Sequence, residues 1–115
     1  MIQRGDIRWF RFSSPDKRRP VVVLGQPEIL SSLNQIPVIP ISSQIRGLSW
    51  EVTLSPEDGV PEACALKPEW IRSVERSLLG PWITAFPAQR WPEVRTALLQ
   101  VLGLESDGTP PARRP

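Results

Sequence analysis

Apolar residues along the chain occur in short runs that are separated by prolines, glycines and polar clusters. Six runs have the length and the β-branched, aromatic or alternating character of strands; they cover residues 7–12, 19–24, 36–42, 50–54, 63–66 and 70–74. Pro37 and Pro40 favour an edge or bulged position for the third run, because proline cannot donate to a strand ladder. Clean alternation in the fourth run turns Trp50, Val52 and Leu54 inward. The pattern therefore predicts a mainly β protein with short strands.

One later segment has the period of a helix. Its apolar positions fall on a single helical face: Val94, Leu98, Val101 and Leu102. Pro92 suits the first turn of this helix, and Gly103 suits its end. After Leu104 the chain offers no core material, so residues 105–115 are expected to be disordered. The sum is a mainly β (α+β) domain over residues 1–104, a small, curled antiparallel β-barrel that ends in a C-terminal helix.

The composition narrows the chemistry that the chain can perform. Its 115 residues suit one domain, no apolar run reaches the ~18 residues of a membrane span, and the N-terminal residues do not resemble a secretory signal. The sequence has no histidine and one cysteine, Cys64, which excludes imidazole-based triads, an internal disulfide and a zinc cluster. Catalysis must therefore use carboxylates, hydroxyls, Lys or Arg. A lone cysteine without an export signal predicts a cytoplasmic protein, and we expect this one to be a small buried hydrophobe.

Positive charge is concentrated in the first half of the chain. Residues 1–50 carry seven basic and three acidic residues, a net charge of +4, whereas the remainder carries a net charge of −2. Twelve of the 14 basic residues are arginines, and the planar guanidinium suits bidentate contact with phosphate. The codons of a high-GC genome favour arginine, which explains the total number of arginines. The consecutive Lys17, Arg18 and Arg19 nevertheless favour nucleic-acid binding. For Arg19 itself, the residues alone favour neutralisation of a carboxylate at a strand start.

Several short motifs occur in an order that is typical of one protein family. Arg-Gly-Asp-Ile at residues 4–7 opens the first strand, and Arg-Arg-Pro-Val-Val-Val-Leu follows at 18–24. Val-Ile-Pro-Ile-Ser-Ser-Gln at 38–44 and Gly-Leu-Ser-Trp-Glu-Val-Thr-Leu at 47–54 continue the match in register, and shorter matches complete it at 58–60, 65–66, 69–74 and 79–80. Each motif alone is common, but the ordered set is specific. It resembles the MazF/PemK-type toxins of bacterial toxin–antitoxin modules.

The resemblance implies an SH3-like barrel that dimerises and cuts single-stranded RNA without a metal or another cofactor, leaving a 2′,3′-cyclic phosphate and a 5′-hydroxyl. The family's catalytic pair, an Arg before the Pro of the second strand and a Thr or Ser that ends the third, falls on Arg19 and Ser42. Such a reaction needs a cation for the extra charge on the phosphate and a hydroxyl that helps to fix the in-line geometry. Without the resemblance, Ser42 and Ser43 are simply typical turn residues.

Further residues are expected to contact RNA because they lie beside the catalytic pair or at matching positions of the family's pattern: Lys17, Arg18, Ser43, Gln44, Arg46 and Arg72. Trp70 stands where the family commonly has Gln. We expect it in the barrel core or at a dimer face, with a base-stacking platform as the alternative. Trp50 and Trp82 are expected in the core.

Two departures from the family's pattern bear on substrate choice. The loop between the first two strands is shorter than in many relatives and lacks their Gly-Ser-Glu-type stretch, although Asp16 supplies an acid there. Ser42 keeps the hydroxyl of the usual Thr but loses the methyl group that restricts its rotamer. Both departures leave the pairing of arginine and hydroxyl in place.

The expected function is a sequence-specific endoribonuclease toxin that cuts mRNA, tRNA or rRNA and so inhibits translation and growth. A cognate antitoxin with a flexible, acidic segment would neutralise it, because the basic half of the chain attracts such a segment as it attracts RNA. The alternative is a CcdB-like toxin on the same barrel that poisons DNA gyrase through the C-terminal helix and tail, with no need of Arg19 or Ser42. A catalytically silent RNA-binding or antitoxin-decoy barrel is a third interpretation.

Overall fold

The computed structural model describes residues 1–13 and 18–105 of the chain. Within them, seven strands form one sheet: β1 (Asp6–Arg11), β2 (Arg18–Val23), β3 (Gln35–Ser42), β4 (Val52–Leu54), β5 (Cys64–Leu66), β6 (Arg72–Glu75) and β7 (Trp82–Ala85). Two α-helices accompany them in this part of the chain, the single turn α1 (Pro27–Leu30) and the C-terminal α2 (Trp91–Val101). The strand order is β4-β5-β3-β2-β1-β7, with β6 also paired to β3, and the pairings are antiparallel. The sheet curls into a half-barrel, which confirms the predicted fold class.

Strand β3 lies at the centre of the sheet, so the expected edge or bulged position is wrong. It pairs with β2 on one side, and on the other side with β6 before Pro40 and with β5 after it. Pro37 lies just past the end of β2, and Pro40 lies between the stretch of β3 that pairs with β6 and the stretch that pairs with β5. At neither position does the ladder require a backbone N–H donor, which proline lacks. Both carbonyls still accept hydrogen bonds of 2.9 Å, Pro37 from the amide of Leu24 and Pro40 from the amide of Lys67.

Apolar side chains cover both faces of the sheet, which explains the nearly continuous apolar run of β2. Val21 and Val23 belong to one buried cluster, and Val22 between them belongs to the other. Helix α2 packs on the second cluster through Val94 and Ala97. The expectation of a buried second strand is confirmed.

The end of the C-terminal helix departs from the predicted apolar face. Gly103 has the left-handed φ of +72° that ends a helix, and the amide of Leu104 donates back to the carbonyl of Leu99 at 2.8 Å. The termination is as predicted, but it leaves Leu102 outside the helix and 48% exposed instead of buried.

Three other expectations for the aromatic residues need correction. Trp82 is 56% exposed instead of in the core, because it lies on β7, a short strand beside β1 that the sequence pattern did not predict. Trp50 precedes β4 instead of opening it, and is half-buried against the core. Trp70 ends a turn of 3-10 helix, Pro68–Trp70, and the sixth strand begins two residues later.

The helices of the described residues are all too short or too polar to cross a membrane. Apart from Glu105, the tail predicted as disordered at residues 105–115 lies outside the described residues.

Candidate active site

The pairing of β2 with β3 determines where Arg19 and Ser42 lie. Val21 is opposite Pro40, and Val22 is opposite Ile39. The ladder ends at the first of these pairs, and because the strands are antiparallel, Arg19, two residues before Val21, and Ser42, two residues after Pro40, both lie beyond the same end of it. Both side chains line the same cavity, which has a volume of about 460 Å³. The structure therefore brings together the two residues of the predicted catalytic pair.

The hydroxyl of Ser42 has a defined environment. Its side chain is buried, and its Oγ accepts a hydrogen bond of 3.1 Å from the backbone N–H of Gln44. Because a serine hydroxyl both donates and accepts, this bond leaves the hydroxyl proton available to donate to a ligand. Ser43 and Gln44 line the same cavity, as does Arg18. The guanidinium carbon of Arg18 lies 4.3 Å from the ring centroid of Trp9, a cation–π contact that holds this cation at the wall.

A second, smaller cavity lies on the other side of Arg19. Its volume is about 270 Å³, and Phe12, Arg19, Pro40, Trp70 and Arg72 line it. The guanidinium carbon of Arg72 lies 5.3 Å from the ring centroid of Phe12. Arg19 and Trp70 line both cavities, so these two residues form a ridge between two adjacent depressions, and the predicted RNA contact Arg72 reaches the second of them.

Two further residues, Arg46 and Lys17, were predicted to contact RNA. Arg46 lies on the exposed loop after β3 and lines neither cavity. Lys17 lies outside the described residues. Their contact with RNA stays a prediction.

A buried ion pair beside the cavities was missed by the sequence analysis. The Nζ of Lys67 donates to Oε2 of Glu51, and both side chains are almost completely buried. The other carboxylate oxygen of Glu51 accepts three backbone amides, from Arg46 at 3.0 Å, Gly47 at 2.8 Å and Leu48 at 3.3 Å. One carboxylate therefore fixes the loop that begins directly after Ser42. An alternating strand pattern assigns Glu51 to the solvent side, so local periodicity could not have found this pair.

The pKa of Glu51 reflects these contacts. Burial alone raises the pKa of a carboxyl group, but the hydrogen bond from Lys67 and the backbone amides of Arg46 and Leu48 outweigh it and lower the pKa of Glu51. The group is therefore ionised at neutral pH, as its role as an acceptor for the loop amides requires.

Cys64 lines the larger cavity without being reactive. It is a free, buried thiol, as expected, and burial, with smaller contributions from Glu62 and Asp58, raises the pKa of Cys64 to about 11. At neutral pH the thiol is protonated and is a poor nucleophile. In the described part of the chain, three or more His, Cys, Asp or Glu side chains do not come together in a way that could hold a metal ion.

This curled antiparallel sheet with an arginine-lined cleft has close structural relatives among small bacterial toxins. The MazF-mt6 toxin of Mycobacterium tuberculosis superposes with a TM-score of 0.79 at 24% identity, over 88% of this chain and 99% of that one. A MazE–MazF structure from Deinococcus radiodurans gives a TM-score of 0.75 at 27% identity, over 89% of this chain and 96% of that one. The likeness confirms the fold.

Sequence comparison defines the family. The model of the PemK-like, MazF-like toxin of type II toxin–antitoxin systems matches residues 3–102. A curated relative from Mycobacterium tuberculosis, the "Probable endoribonuclease MazF5", is 35% identical over 77 residues, which are 66% of this chain and 70% of that protein. The chain belongs to the PemK-like, MazF-like toxin family.

The Glu51–Lys67 pair leads to a prediction about stability. At neutral pH, Glu51→Gln should lower the free energy of unfolding by about 3–5 kcal/mol, because it leaves the charge of Lys67 buried without a partner. The double variant Glu51→Gln/Lys67→Met should lose less than the single variant. Urea unfolding measures both, and Glu69→Gln, an exposed neighbour, is the control, with an expected change within about 0.5 kcal/mol.

The same pair predicts how this difference depends on pH. Because the folded-state pKa of Glu51 is lowered from its ordinary value of 4.5, its stabilising contribution is complete above that value and disappears as pH falls through the lowered pKa. The gap between wild type and Glu51→Gln should therefore narrow in acid. Equal stabilities of wild type and Glu51→Gln at pH 7 would contradict the assignment.

The raised pKa of Cys64 predicts slow alkylation. At pH 7 the folded protein should react with iodoacetamide at least tenfold more slowly than the urea-unfolded protein, because the folded thiol is both buried and protonated. Mass spectrometry of timed samples measures the two rates. Similar rates in the folded and unfolded states would show that the thiol is accessible and that folding does not raise its pKa.

Proposed function

We propose that this protein is a sequence-specific, metal-independent endoribonuclease that cuts single-stranded RNA and acts as a growth-inhibiting toxin in the cytoplasm. The observation that carries the proposal is that Arg19 of β2 and Ser42 of β3 line one cavity. The family match and the name of the curated relative, a probable endoribonuclease, support the same activity.

In the proposed reaction, the 2′-hydroxyl oxygen of one nucleotide attacks the adjacent phosphorus. The new bond joins O2′ to phosphorus, the bond from phosphorus to O5′ breaks, and the products are a 2′,3′-cyclic phosphate and a 5′-hydroxyl. The proton lost by the 2′-hydroxyl is balanced by the proton that the leaving 5′-oxygen gains. The protein's task is to align these groups and to stabilise the charge that develops on the phosphate.

Arg19 and Ser42 supply these two contributions. The guanidinium of Arg19 can donate to two phosphate oxygens at once, and as a fixed cation it can stabilise the charge of the transition state. Ser42 can donate its hydroxyl proton to a phosphate oxygen while the amide of Gln44 holds its Oγ in place. In this proposal both groups bind the same phosphate, Arg19 from β2 and Ser42 from β3.

Four of the other predicted RNA contacts line the two cavities beside this pair. Arg18 and Arg72 place further cations on the walls of the two cavities, where they would bind the flanking phosphates. Ser43 and Gln44 line the larger cavity and offer hydrogen-bonding groups. We include Arg46 as a contact to RNA that extends beyond the cleft.

We also propose that the protein acts as a homodimer and is neutralised by a cognate antitoxin. Solved relatives include MazE–MazF structures from Deinococcus radiodurans and an endoribonuclease of a Mycobacterial species in complex with its cognate antitoxin. The arginines of the cleft would attract an acidic antitoxin segment for the same electrostatic reason that they attract RNA. Such a segment would inhibit by occupying the path of the substrate.

Cleavage of a long single-stranded RNA in EDTA tests the enzymatic proposal. The wild type should produce discrete cuts with 5′-hydroxyl ends. Arg19→Ala should slow cleavage by about 10²–10³-fold, the usual effect of removing one donor to a transition-state oxyanion, and Ser42→Ala should also slow it, whereas Ser42→Thr should retain activity. Arg95→Ala is the control, because Arg95 is an exposed arginine of α2 that lines neither cavity.

The outcomes separate the enzyme from its competitors. If a folded and toxic wild type leaves RNA intact, or if Arg19→Ala remains toxic, the target is a protein such as gyrase and the nuclease proposal fails. If RNA binds without being cut and the protein is not toxic, the barrel is an RNA-binding module.

Light scattering tests the proposed dimer. The purified chain should have a mass of twice its 12.9 kDa, because the family resemblance implies that two subunits form the functional toxin. A monomer across micromolar concentrations would contradict this part of the proposal without affecting the assignment of Arg19 and Ser42.

A further inference from the structure

Trp70 occupies an unusual position in the cleft. It ends the turn of 3-10 helix Pro68–Trp70, between β5 and β6, and 39% of its surface is exposed. It lines both cavities. The guanidinium carbon of Arg19 lies 5.7 Å from its ring centroid, and the Nζ of the buried Lys67 lies 5.9 Å from it. A large aromatic ring is therefore anchored beside the phosphate-binding arginine and still open to solvent.

The smaller cavity has the composition that a nucleobase needs. Phe12, Pro40 and Trp70 form apolar walls, and Arg19 and Arg72 supply the cations. A nucleotide combines a flat, apolar base with a charged phosphate, so it would present the base to the walls and the phosphate to the cations. Phe12 is buried and makes an edge-on contact with Phe10, with 4.8 Å between ring centroids, which makes that wall rigid.

We propose that this cavity is a nucleobase subsite, in which the base next to the phosphate held by Arg19 stacks on Trp70 and Arg72 binds that nucleotide's other phosphate. This subsite rests on the proposed RNA substrate and specifies where one base of that RNA binds. Ser42 lines the larger cavity and not this one. The scissile phosphate at Arg19 would thus lie between the two cavities, with the chain of the substrate continuing across the ridge.

Stacking on an aromatic ring differs in sequence selectivity from hydrogen bonding to the edges of a base. It accepts every base, because each base has an aromatic face, and it favours purines because their stacking surface is larger. Loss of one stacked base typically weakens binding roughly ten- to hundredfold. Trp70 would therefore contribute to affinity and to a purine preference at one position, and would leave the rest of the recognition sequence unchanged.

A simpler role for Trp70 would be to hold Arg19 by a cation–π contact. In that case the tryptophan is a positioning residue, and its loss weakens the handling of every substrate equally. In the proposed subsite, its loss affects only a substrate that has a base at the stacked position. Removing that base from the RNA distinguishes the two roles.

The test is binding of a short RNA that cannot be cleaved, in which the nucleotide bearing the attacking 2′-hydroxyl is replaced by its 2′-deoxy form. The sequence of this RNA is taken from a mapped cleavage site. If no cleavage is found, an RNA that contains all four bases is used. Wild type, Trp70→Ala and Trp70→Phe are compared, and Trp82→Ala is the control, because Trp82 is a more exposed tryptophan that lines neither cavity. Each protein is titrated with RNAs that carry an abasic site on one side or the other of the 2′-deoxy position.

The subsite predicts a specific pattern. Trp70→Ala should weaken binding of the intact RNA roughly ten- to hundredfold, Trp70→Phe should recover most of it, and Trp82→Ala should change it less than twofold. At one flanking position, an abasic site should weaken binding to wild type but not to Trp70→Ala. Urea unfolding confirms that each variant is folded.

Two results would overturn the subsite. The first is equal weakening by Trp70→Ala for intact and abasic RNA, which assigns Trp70 to holding Arg19. The second is a lack of RNA binding by the wild type, or binding that Trp70→Ala does not change. Cleavage of the normal RNA by wild type is measured in parallel, so failure of the subsite with intact cleavage leaves the proposed nuclease standing, and absence of cleavage refutes the nuclease whatever the binding result.

Discussion

The cleft is organised by a change of partner in the central strand β3. This strand pairs with β6 up to Val38 and with β5 from Ile41, and Pro40, which has no amide hydrogen to donate, lies between the two stretches. The change of partner opens the sheet next to the start of β2, where Arg19 lies. One cavity forms on the β5 side with Ser42, and the other forms on the β6 side with Arg72. The two depressions thus lie on either side of the partner change and share one arginine.

The cations around the cleft fall into two kinds, which differ in how they are compensated. Lys67 is buried, and its charge is matched by Glu51, so it organises the protein and is not available to a ligand. Arg18, Arg19 and Arg72 lie against aromatic rings at 4.3–5.7 Å. Contact with a ring face orients a guanidinium while leaving its N–H groups free to donate. The result is a set of cations that are oriented by aromatic rings and line the two cavities.

The sequence predicted the elements well where the signal was local and less well where it depended on distant contacts. The predictions of β2 as a buried strand and of a glycine at the end of α2 were correct, because the signals for burial and for helix termination lie within a few residues. The central position of β3 was missed, because partners far along the chain accommodate its prolines. The exposure of Trp82 was missed for the same kind of reason, since apolar character alone does not reveal which aromatic side chains find a neighbour.

The candidate site likewise has features that the sequence shows locally and features that depend on distant contacts. Composition excluded imidazole chemistry, and the ordered motifs singled out Arg19 and Ser42, but the residues alone favoured plainer roles for both. That the two residues line one cavity became visible only in the fold, where β2 and β3 pair antiparallel. Glu51 and Lys67 are 16 residues apart, and no periodicity links a strand residue to a distant lysine. Long-range polar pairs of this kind are decided by the fold.

The arginine-lined cleft has a consequence for regulation. An arginine keeps its charge at every pH that a cell experiences, and the thiol in the larger cavity is protonated well beyond that range. A change of pH within the cellular range therefore leaves the charge of the cleft unchanged, and mild oxidants meet a thiol in its less reactive form. If the cleft binds polyanions as proposed, control falls to stoichiometry: the fraction of the protein that is free to act depends on how many competing polyanions are present for each copy of the chain.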